Sequence, residues 1–202
     1  MVEKAFNRWL QTAINMFCYP FIRYEVSPNL ITIVGAFMMG AAAVFLAVNR
    51  PGIAFTVFAV GAVFDALDGT IARRLSRCST FGAFLDSTLD RITEIMLAVG
   101  YLFYFNVNNA FGMSVVLWII AVITSSLMVS YVRARAEGLG LSCKIGLVQR
   151  PTRGVILGLA ILTCSPKVIF ASIVIVTCGN IVTVLQRVLW VSANADKQTL
   201  TY

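Results

Sequence analysis

The 202-residue sequence contains no histidine. This absence excludes histidine-based proton transfer, Ser-His and Cys-His catalytic dyads, and nearly all zinc and haem sites. The five cysteines are odd in number and never form a Cys-x-x-Cys pair. We therefore expect reduced cysteines that pack in the interior, with no disulfide framework.

Charged residues are also scarce, at 12% of the chain against 59% hydrophobic residues. A soluble globular protein carries roughly 25% charged residues, and the mean hydropathy here is +0.85. Too few polar side chains remain to cover a surface that faces water, so lipid must be the solvent for most of the chain. The composition predicts an all-α, polytopic membrane protein.

Acidic residues are few relative to basic ones, with 9 Asp and Glu against 16 Lys and Arg and a net charge of +7. In a membrane protein this excess indicates cytoplasmic loops on an anionic leaflet, a phosphorylated substrate, or both. We expect no nucleic-acid partner.

Six apolar stretches follow residue 23, over residues 30–48, 53–64, 92–105, 110–132, 155–164 and 168–190. About 20 helical residues cross a hydrocarbon core of about 30 Å. The second, third and fifth stretches reach this length only if their polar ends are helical too. Residues 23–191 are therefore predicted to form six transmembrane helices, followed by a polar tail over residues 192–202.

The first 22 residues place apolar side chains such as Phe6, Trp9 and Phe17 at helical spacing between polar ones. No continuous apolar core or small-residue cleavage site of a signal peptide is present. The pattern predicts an amphipathic helix that lies in the membrane interface among the lipid headgroups; the alternative is a helix packed against a partner domain.

Thirteen of the sixteen basic residues fall at the termini and in the two loops that six spans place on the same side. The positive-inside rule assigns that side to the cytoplasm. We expect both termini and the active site on the cytoplasmic side of the cell membrane.

Four of the nine acidic residues lie in the polar ends of the second and third predicted spans: Asp65, Asp68, Asp86 and Asp90. A charge at the centre of a spanning helix costs about 2.5–3.5 kcal/mol, so such residues indicate function. Spacings of three and four residues place each pair on one helix face. A short basic turn joins the two helices, so their carboxylates can converge.

Carboxylates that share a low-dielectric pocket repel one another unless cations are present. The ligand set contains only oxygen, which favours Mg²⁺ or Mn²⁺, and a pair of ions suits a pyrophosphate substrate. Buried ion pairs with Arg73, Arg74 and Arg91 are the structural alternative, but they account for one or two acids rather than four. Gly69, Ala72 and Gly82 leave space beside the acids.

The pattern Asp65-x2-Asp68-Gly69-x2-Ala72-Arg73-x8-Gly82-x3-Asp86-x3-Asp90 resembles the signature of the CDP-alcohol phosphotransferases at every fixed position. The resemblance implies transfer of a phosphatidyl group from a CDP-linked lipid, such as CDP-diacylglycerol, to an alcohol, with release of CMP. It implies a two-metal site on Asp65, Asp68 and Asp86, and Asp90 as the general base and further ligand. Gly69, Ala72, Arg73 and Gly82, with Asp68, would bind the CDP-lipid. Family members are commonly homodimers.

Ser27 and Pro28 are typical of a helix start. Similar Pro-Asn-x-x-Thr segments of the family lie by the nucleotide, so Asn29 and Thr32 are further candidates for CDP-lipid binding.

Five residues near the ends of the last three spans are candidates for binding the acceptor: Ser130, Arg133, Arg150, Arg153 and Arg187. Convergent arginines bind phosphate through paired hydrogen bonds; the alternative is that they contact lipid headgroups. The segments are similar to the phosphatidylinositol-phosphate synthase branch, where inositol 1-phosphate is the acceptor. That branch often has lysine at the position of Arg133, so the acceptor is less defined than the reaction.

Other acceptors stay open, namely glycerol 3-phosphate, inositol and serine, as does an archaetidyl lipid product. An ion-coupled transporter is the alternative outside enzymes, and a scaffold protein has no use for the acids. Transporters hold such groups at mid-membrane beside broken helices and internal repeats, whereas these acids cluster toward the predicted cytoplasmic side.

Overall fold

The computed structural model describes residues 17–195, and these residues form helices without any strand. Residues 1–16 and 196–202 lie outside the described part, so the predicted interfacial helix over residues 1–22 is described only from residue 17. The helices are α1 (residues 17–23), α2 (Pro28–Ala47), α3 (Pro51–Arg74), α4 (Thr80–Val107), α5 (Met113–Gly138), α6 (Arg150–Leu162) and α7 (Pro166–Ala195). Each predicted apolar stretch therefore falls mainly within one helix, although three of them (30–48, 110–132 and 155–164) extend one to three residues beyond it.

Proline marks the start of four of these helices. Pro28, Pro51 and Pro166 are the first residues of α2, α3 and α7, and Pro151 is the second residue of α6. The first turn of a helix tolerates proline because its N–H has no intrahelical acceptor there. Of these starts, the one at Pro28 was predicted from the sequence.

Within residues 17–195, four helices are long and apolar enough to cross a membrane, namely α2, α3, α5 and α7 over Pro166–Asn194. The 28-residue α4 carries Asp86, Asp90, Arg91 and Glu94 near its middle and in the half before it. Helix α6 has 13 residues, which corresponds to about 20 Å. The chain is an integral membrane protein.

The described chain divides into two compact units, the first of which contains residues 17–42 and 56–96. In this unit α2 and α3 approach closely, because a Cβ atom on Gly61 would lie 3.2 Å from the carbonyl oxygen of Gly35. Small residues permit such approaches between membrane helices. Cys18, Ile31 and Ile71 are buried together beside them. Burial raises the pKa of the Cys18 thiol, which keeps this packing residue neutral.

The second unit contains residues 43–55 and 97–195, and in it α5 and α6 pack against α7. Asn180 of α7 is fully buried and donates hydrogen bonds to the hydroxyls of Ser125 (3.1 Å) and Ser126 (3.0 Å) of α5. The buried Tyr101 hydroxyl donates to the Leu157 carbonyl of α6 at 2.9 Å. Hydrogen bonds between helices supplement van der Waals packing where lipid offers no hydrophobic driving force.

Candidate functional site

Three carboxylates from two helices share one small volume in the first unit. One oxygen from each of Asp65, Asp86 and Asp90 lies within 4.8 Å of the others. Asp65 belongs to α3 and the other two belong to α4, and Asp90 is only 9% exposed.

The short connection between α3 and α4, residues 75–79, makes the two helices antiparallel neighbours. The four-residue spacing of Asp86 and Asp90 directs both side chains toward the same side of α4, where Asp65 meets them. Three carboxylates at this separation repel one another strongly in a medium of low dielectric. An all-oxygen ligand set of this kind fits a hard divalent cation.

Asp68, the fourth predicted metal ligand, is outside this group of three. It is 8% exposed, and its Oδ2 accepts a hydrogen bond of 2.7 Å from the Thr32 hydroxyl of α2. Its Oδ1 accepts the backbone N–H of Gly69. The role of Asp68 as a metal ligand therefore stays a prediction, and the structure adds Thr32 as the residue that orients its carboxylate.

A cleft of about 210 Å³ lies beside these acids, between the first turns of α2, the end of α3 and the start of α4. All the residues that the sequence assigned to CDP-lipid binding line it: Asn29, Thr32, Asp68, Gly69, Ala72, Arg73 and Gly82. Asp86 also lines the cleft, which joins the cleft to the group of carboxylates.

Sequence reasoning missed part of the lining, in particular Arg77, Cys78 and Ser79 of the connection before α4. The Ser79 hydroxyl accepts the backbone N–H of Gly82 at 2.9 Å, as an N-cap does. Arg77 forms a 2.6 Å ion pair with Glu25 and donates to its carbonyl at 3.0 Å. A serine three residues before Gly82 was the available signal for the cap, whereas the contact of Arg77 with Glu25 spans 52 residues of sequence.

Gly82 allows close contact at the floor of the cleft, since a Cβ atom there would lie 3.0 Å from both Asn29 Oδ1 and Ser79 Oγ. We expect Gly82→Ala to raise the KM for the CDP-lipid about tenfold, because the methyl group must displace one of these polar groups or occupy the cleft. The matched control is Gly52→Ala, where a Cβ atom meets nothing within 4 Å. Steady-state kinetics of both variants test this expectation, which an unchanged KM in Gly82→Ala contradicts.

The predicted acceptor residues all lie in the second unit. Arg153 and Arg187 are buried, at 2% and 3% exposure. Arg133 is half-exposed and pairs with Glu137 at 2.9 Å. The charges of Arg133 and Arg153 both act on the guanidinium of Arg187, so the structure brings these three arginines near one another.

The two remaining candidates are half-buried, Ser130 within α5 and Arg150 as the first residue of α6. Arg187 has two guanidinium nitrogens that donate to backbone carbonyls, those of Ile145 (2.9 Å) and Val129. Arg187 thus links α7 to α5 and to the segment before α6, in addition to any contact with substrate.

Apolar helices of membrane length, a divalent-metal ligand set and an adjacent cleft lined in part by basic residues define a membrane enzyme that acts on a phosphate-bearing substrate. The chain belongs to the CDP-alcohol phosphatidyltransferase family, whose model matches residues 25–193.

Two relatives have names that specify a product. The archaetidylinositol phosphate synthase of Methanothermobacter thermautotrophicus is 34% identical over 172 residues, which cover 84% of this chain and 85% of that protein. The phosphatidylinositol phosphate synthase of Corynebacterium glutamicum is 32% identical over 170 residues, which cover 82% and 78% respectively.

Solved structures of the Mycobacterium tuberculosis phosphatidylinositol phosphate synthase have the same fold. The complex with manganese and citrate has a TM-score of 0.78 at 25% identity and covers 87% of both chains. The complex with CDP-DAG has a TM-score of 0.74 at 26% identity and covers 87% of this chain and 91% of that one. These similarities support a divalent metal and a CDP-lipid donor for this chain.

Proposed function

We propose that this protein transfers a phosphatidyl group from CDP-diacylglycerol to inositol 1-phosphate and releases CMP. The observation that carries the proposal is the cleft that joins the predicted CDP-lipid residues to the convergent carboxylates of Asp65, Asp86 and Asp90. The names of the relatives supply the expected acceptor, and the structure of the mycobacterial protein with CDP-DAG supports the donor.

In this reaction an acceptor hydroxyl attacks the phosphorus atom that carries the diacylglycerol. A new P–O bond forms, the bond to the CMP oxygen breaks, and the hydroxyl proton passes to the Asp90 carboxylate as general base. CMP leaves with both electrons of the broken bond and is therefore released as a phosphate monoester dianion. Asn29, Thr32, Gly69, Ala72, Arg73 and Gly82 would hold the cytidine diphosphate in place while the bond breaks.

Asp65, Asp68, Asp86 and Asp90 would together hold two divalent cations, Mg²⁺ by preference and Mn²⁺ as an alternative. Bound cations of this kind neutralise the charge of the pyrophosphate and of the departing CMP. The structure brings together the oxygens of three of these acids, and Asp68 lines the adjacent cleft.

The phosphate of the acceptor would bind to Arg133, Arg150 and Arg153, with contributions from Ser130 and Arg187. The burial of Arg153 and the proximity of Arg133 and Arg187 support a basic site built for a phosphorylated polyol rather than for a neutral alcohol. Glycerol 3-phosphate has the same requirement and is therefore the main alternative acceptor.

The proposal includes a transmembrane domain of six helices over residues 23–191, with an interfacial helix over residues 1–22 and a tail over residues 192–202. Both termini and the active site would face the cytoplasm across the cell membrane, as the distribution of basic residues favours. Assembly as a homodimer is expected from the family.

CMP release from CDP-diacylglycerol with Mg²⁺ tests the function directly. Purified protein is given inositol 1-phosphate, inositol, glycerol 3-phosphate or serine in turn, and we expect release with inositol 1-phosphate. Release with glycerol 3-phosphate alone would show that glycerol 3-phosphate, and not inositol 1-phosphate, is the acceptor. No release with any alcohol would favour the alternative of an ion-coupled transporter.

Arg153→Ala is expected to raise the KM for the acceptor at least about tenfold, the loss typical of a charged hydrogen bond, while the KM for CDP-diacylglycerol changes little. Arg135→Ala is the matched control, because Arg135 is an exposed cation near the end of the preceding helix, α5. Equal changes in both KM values would move Arg153 out of the acceptor site.

A further inference from the structure

The connection between α5 and α6 is held along one face of α7. Residues 141–149 have no helix or strand, so their backbone polar groups need other partners. The N–H of Val148 donates to Thr183 Oγ1 at 2.9 Å, and the N–H of Leu147 donates to Gln186 Oε1 at 3.0 Å. The Nε of Arg187 donates to the carbonyl of Ile145 at 2.9 Å.

The same face of α7 fits this connection sterically. Gly146 has a φ of +140°, and a Cβ atom there would lie 2.5 Å from Thr183 Cγ2. A Cβ atom on Gly179 would lie 2.4 Å from Val148 Cγ2. Gly179 and Thr183 are four residues apart and therefore on one helix face. Hydrogen bonds and shape thus define a single register of residues 145–148 on α7.

The contacts of Thr183 and Arg187 are shielded from solvent, whereas the hydrogen bond between Leu147 and Gln186 is exposed. Val148, Thr183 and Arg187 are 6%, 0% and 3% exposed. The Thr183 hydroxyl also donates to the Gly179 carbonyl at 2.8 Å, so it is satisfied both as donor and as acceptor. Buried hydrogen bonds cost more to break than exposed ones, because the groups left behind lack water as a substitute partner.

We call the contacts of residues 145–148 with Thr183, Gln186 and Arg187 the clamp. The segment that the clamp holds leads directly into the start of α6. Arg150, the first residue of α6, is two residues after Val148, and the buried Arg153 lies within the first turn. A shift of Val148 would displace both arginines, because only Gln149 separates the clamp from the helix.

We propose that Thr183 and Gln186, together with the Nε group of Arg187, are positioning residues that hold Arg150 and Arg153 in the arrangement that binds the acceptor phosphate. This inference rests on the proposed role of Arg150 and Arg153 in acceptor binding. It assigns Thr183 and Gln186 a function in substrate recognition without contact with substrate.

Thr183→Val and Thr183→Ser form the decisive pair of variants. Valine keeps the shape but removes the acceptor of the Val148 N–H, whereas serine keeps the hydroxyl. We expect Thr183→Val to raise the KM for inositol 1-phosphate about fivefold, the factor that corresponds to one hydrogen bond of ordinary net strength. The KM for CDP-diacylglycerol and kcat should change less than twofold, and Thr183→Ser should resemble the wild type.

Cys143 gives a readout that needs no activity. Its side chain is fully buried within the same connection, next to Ala136 and Leu141. Loosening of the clamp should speed its reaction with a maleimide, measured by mass spectrometry of the labelled peptide. We expect at least fivefold faster labelling in Thr183→Val and no change in Gly138→Ala, a control in which a Cβ atom meets nothing within 4 Å.

A size exchange keeps the test valid if Thr183→Val does not fold. Gly179→Ala should mimic Thr183→Val in both assays, and adding Val148→Ala should restore wild-type behaviour by removing the clashing Cγ2.

Unchanged Cys143 labelling in Thr183→Val and in Gly179→Ala would overturn the clamp. Faster labelling with an unchanged KM for the acceptor would overturn its role in acceptor binding. A wild-type protein without CMP release would instead reject the proposed function and leave the labelling result intact.

Discussion

Asp90→Asn is expected to lower kcat about 10²- to 10⁴-fold, the contribution that a positioned general base usually makes. The amide matches the carboxylate in shape but takes up no proton at neutral pH, so the acceptor hydroxyl keeps its proton. Binding of the CDP-lipid should be largely preserved, since Asp90 is absent from the lining of the cleft.

Single-turnover CMP release and equilibrium binding of CDP-diacylglycerol, measured on the same preparation, separate the two effects. Glu94→Gln is the matched control, because it neutralises an acid one turn further along α4. A kcat close to that of the wild type in Asp90→Asn would remove Asp90 from the catalytic role.

Asp86→Ala is expected to weaken divalent-metal binding more than about 100-fold. Loss of a residue that only orients a metal ligand typically costs 10- to 100-fold in affinity, so loss of a ligand should exceed this range. Mn²⁺ titration followed by electron paramagnetic resonance measures the affinity without reference to turnover, and chelation of metal from the wild type should abolish CMP release until Mg²⁺ is restored.

Asp68→Ala in the same titration tests the fourth predicted metal ligand. The sequence predicts weaker metal binding, whereas the structure places the carboxylate on Thr32 and Gly69. Glu137→Gln in the second unit serves as the acidic control. Mn²⁺ affinity unchanged in Asp86→Ala would contradict the assignment of the metal centre.

Three of the four acids that the sequence singled out, Asp65, Asp86 and Asp90, lie together in the structure, because the sequence information that selects them is local. Spacings of three and four residues determine which side chains share a helix face, and the short turn between Arg74 and Thr80 brings two such faces together. The same reasoning selected the small residues of the cleft, Gly69 and Gly82, because a flat substrate needs space beside the charged groups.

The hydrogen-bond partners of Arg187 could not be predicted from local spacing. An arginine in an apolar helix indicates a buried anion site, yet its Nε and Nη1 donate to carbonyls of residues 42 and 58 positions away. No periodicity in the sequence encodes such pairings. The clamp at Thr183 was missed for the same reason, since the hydroxyl resembles any threonine of a membrane helix until Val148 is placed against it.

Taken alone, the amino-acid sequence determined the lipid environment, the approximate positions of the helices and the acids that share a helix face, because scarcity of charge and short-range spacing act within a few residues of the chain. Only the tertiary structure decided that Asp65, Asp86 and Asp90 converge while Asp68 turns to Thr32, and that α7 holds the segment before α6. Those outcomes depend on rotamers and hydrogen-bond partners that packing between distant helices selects.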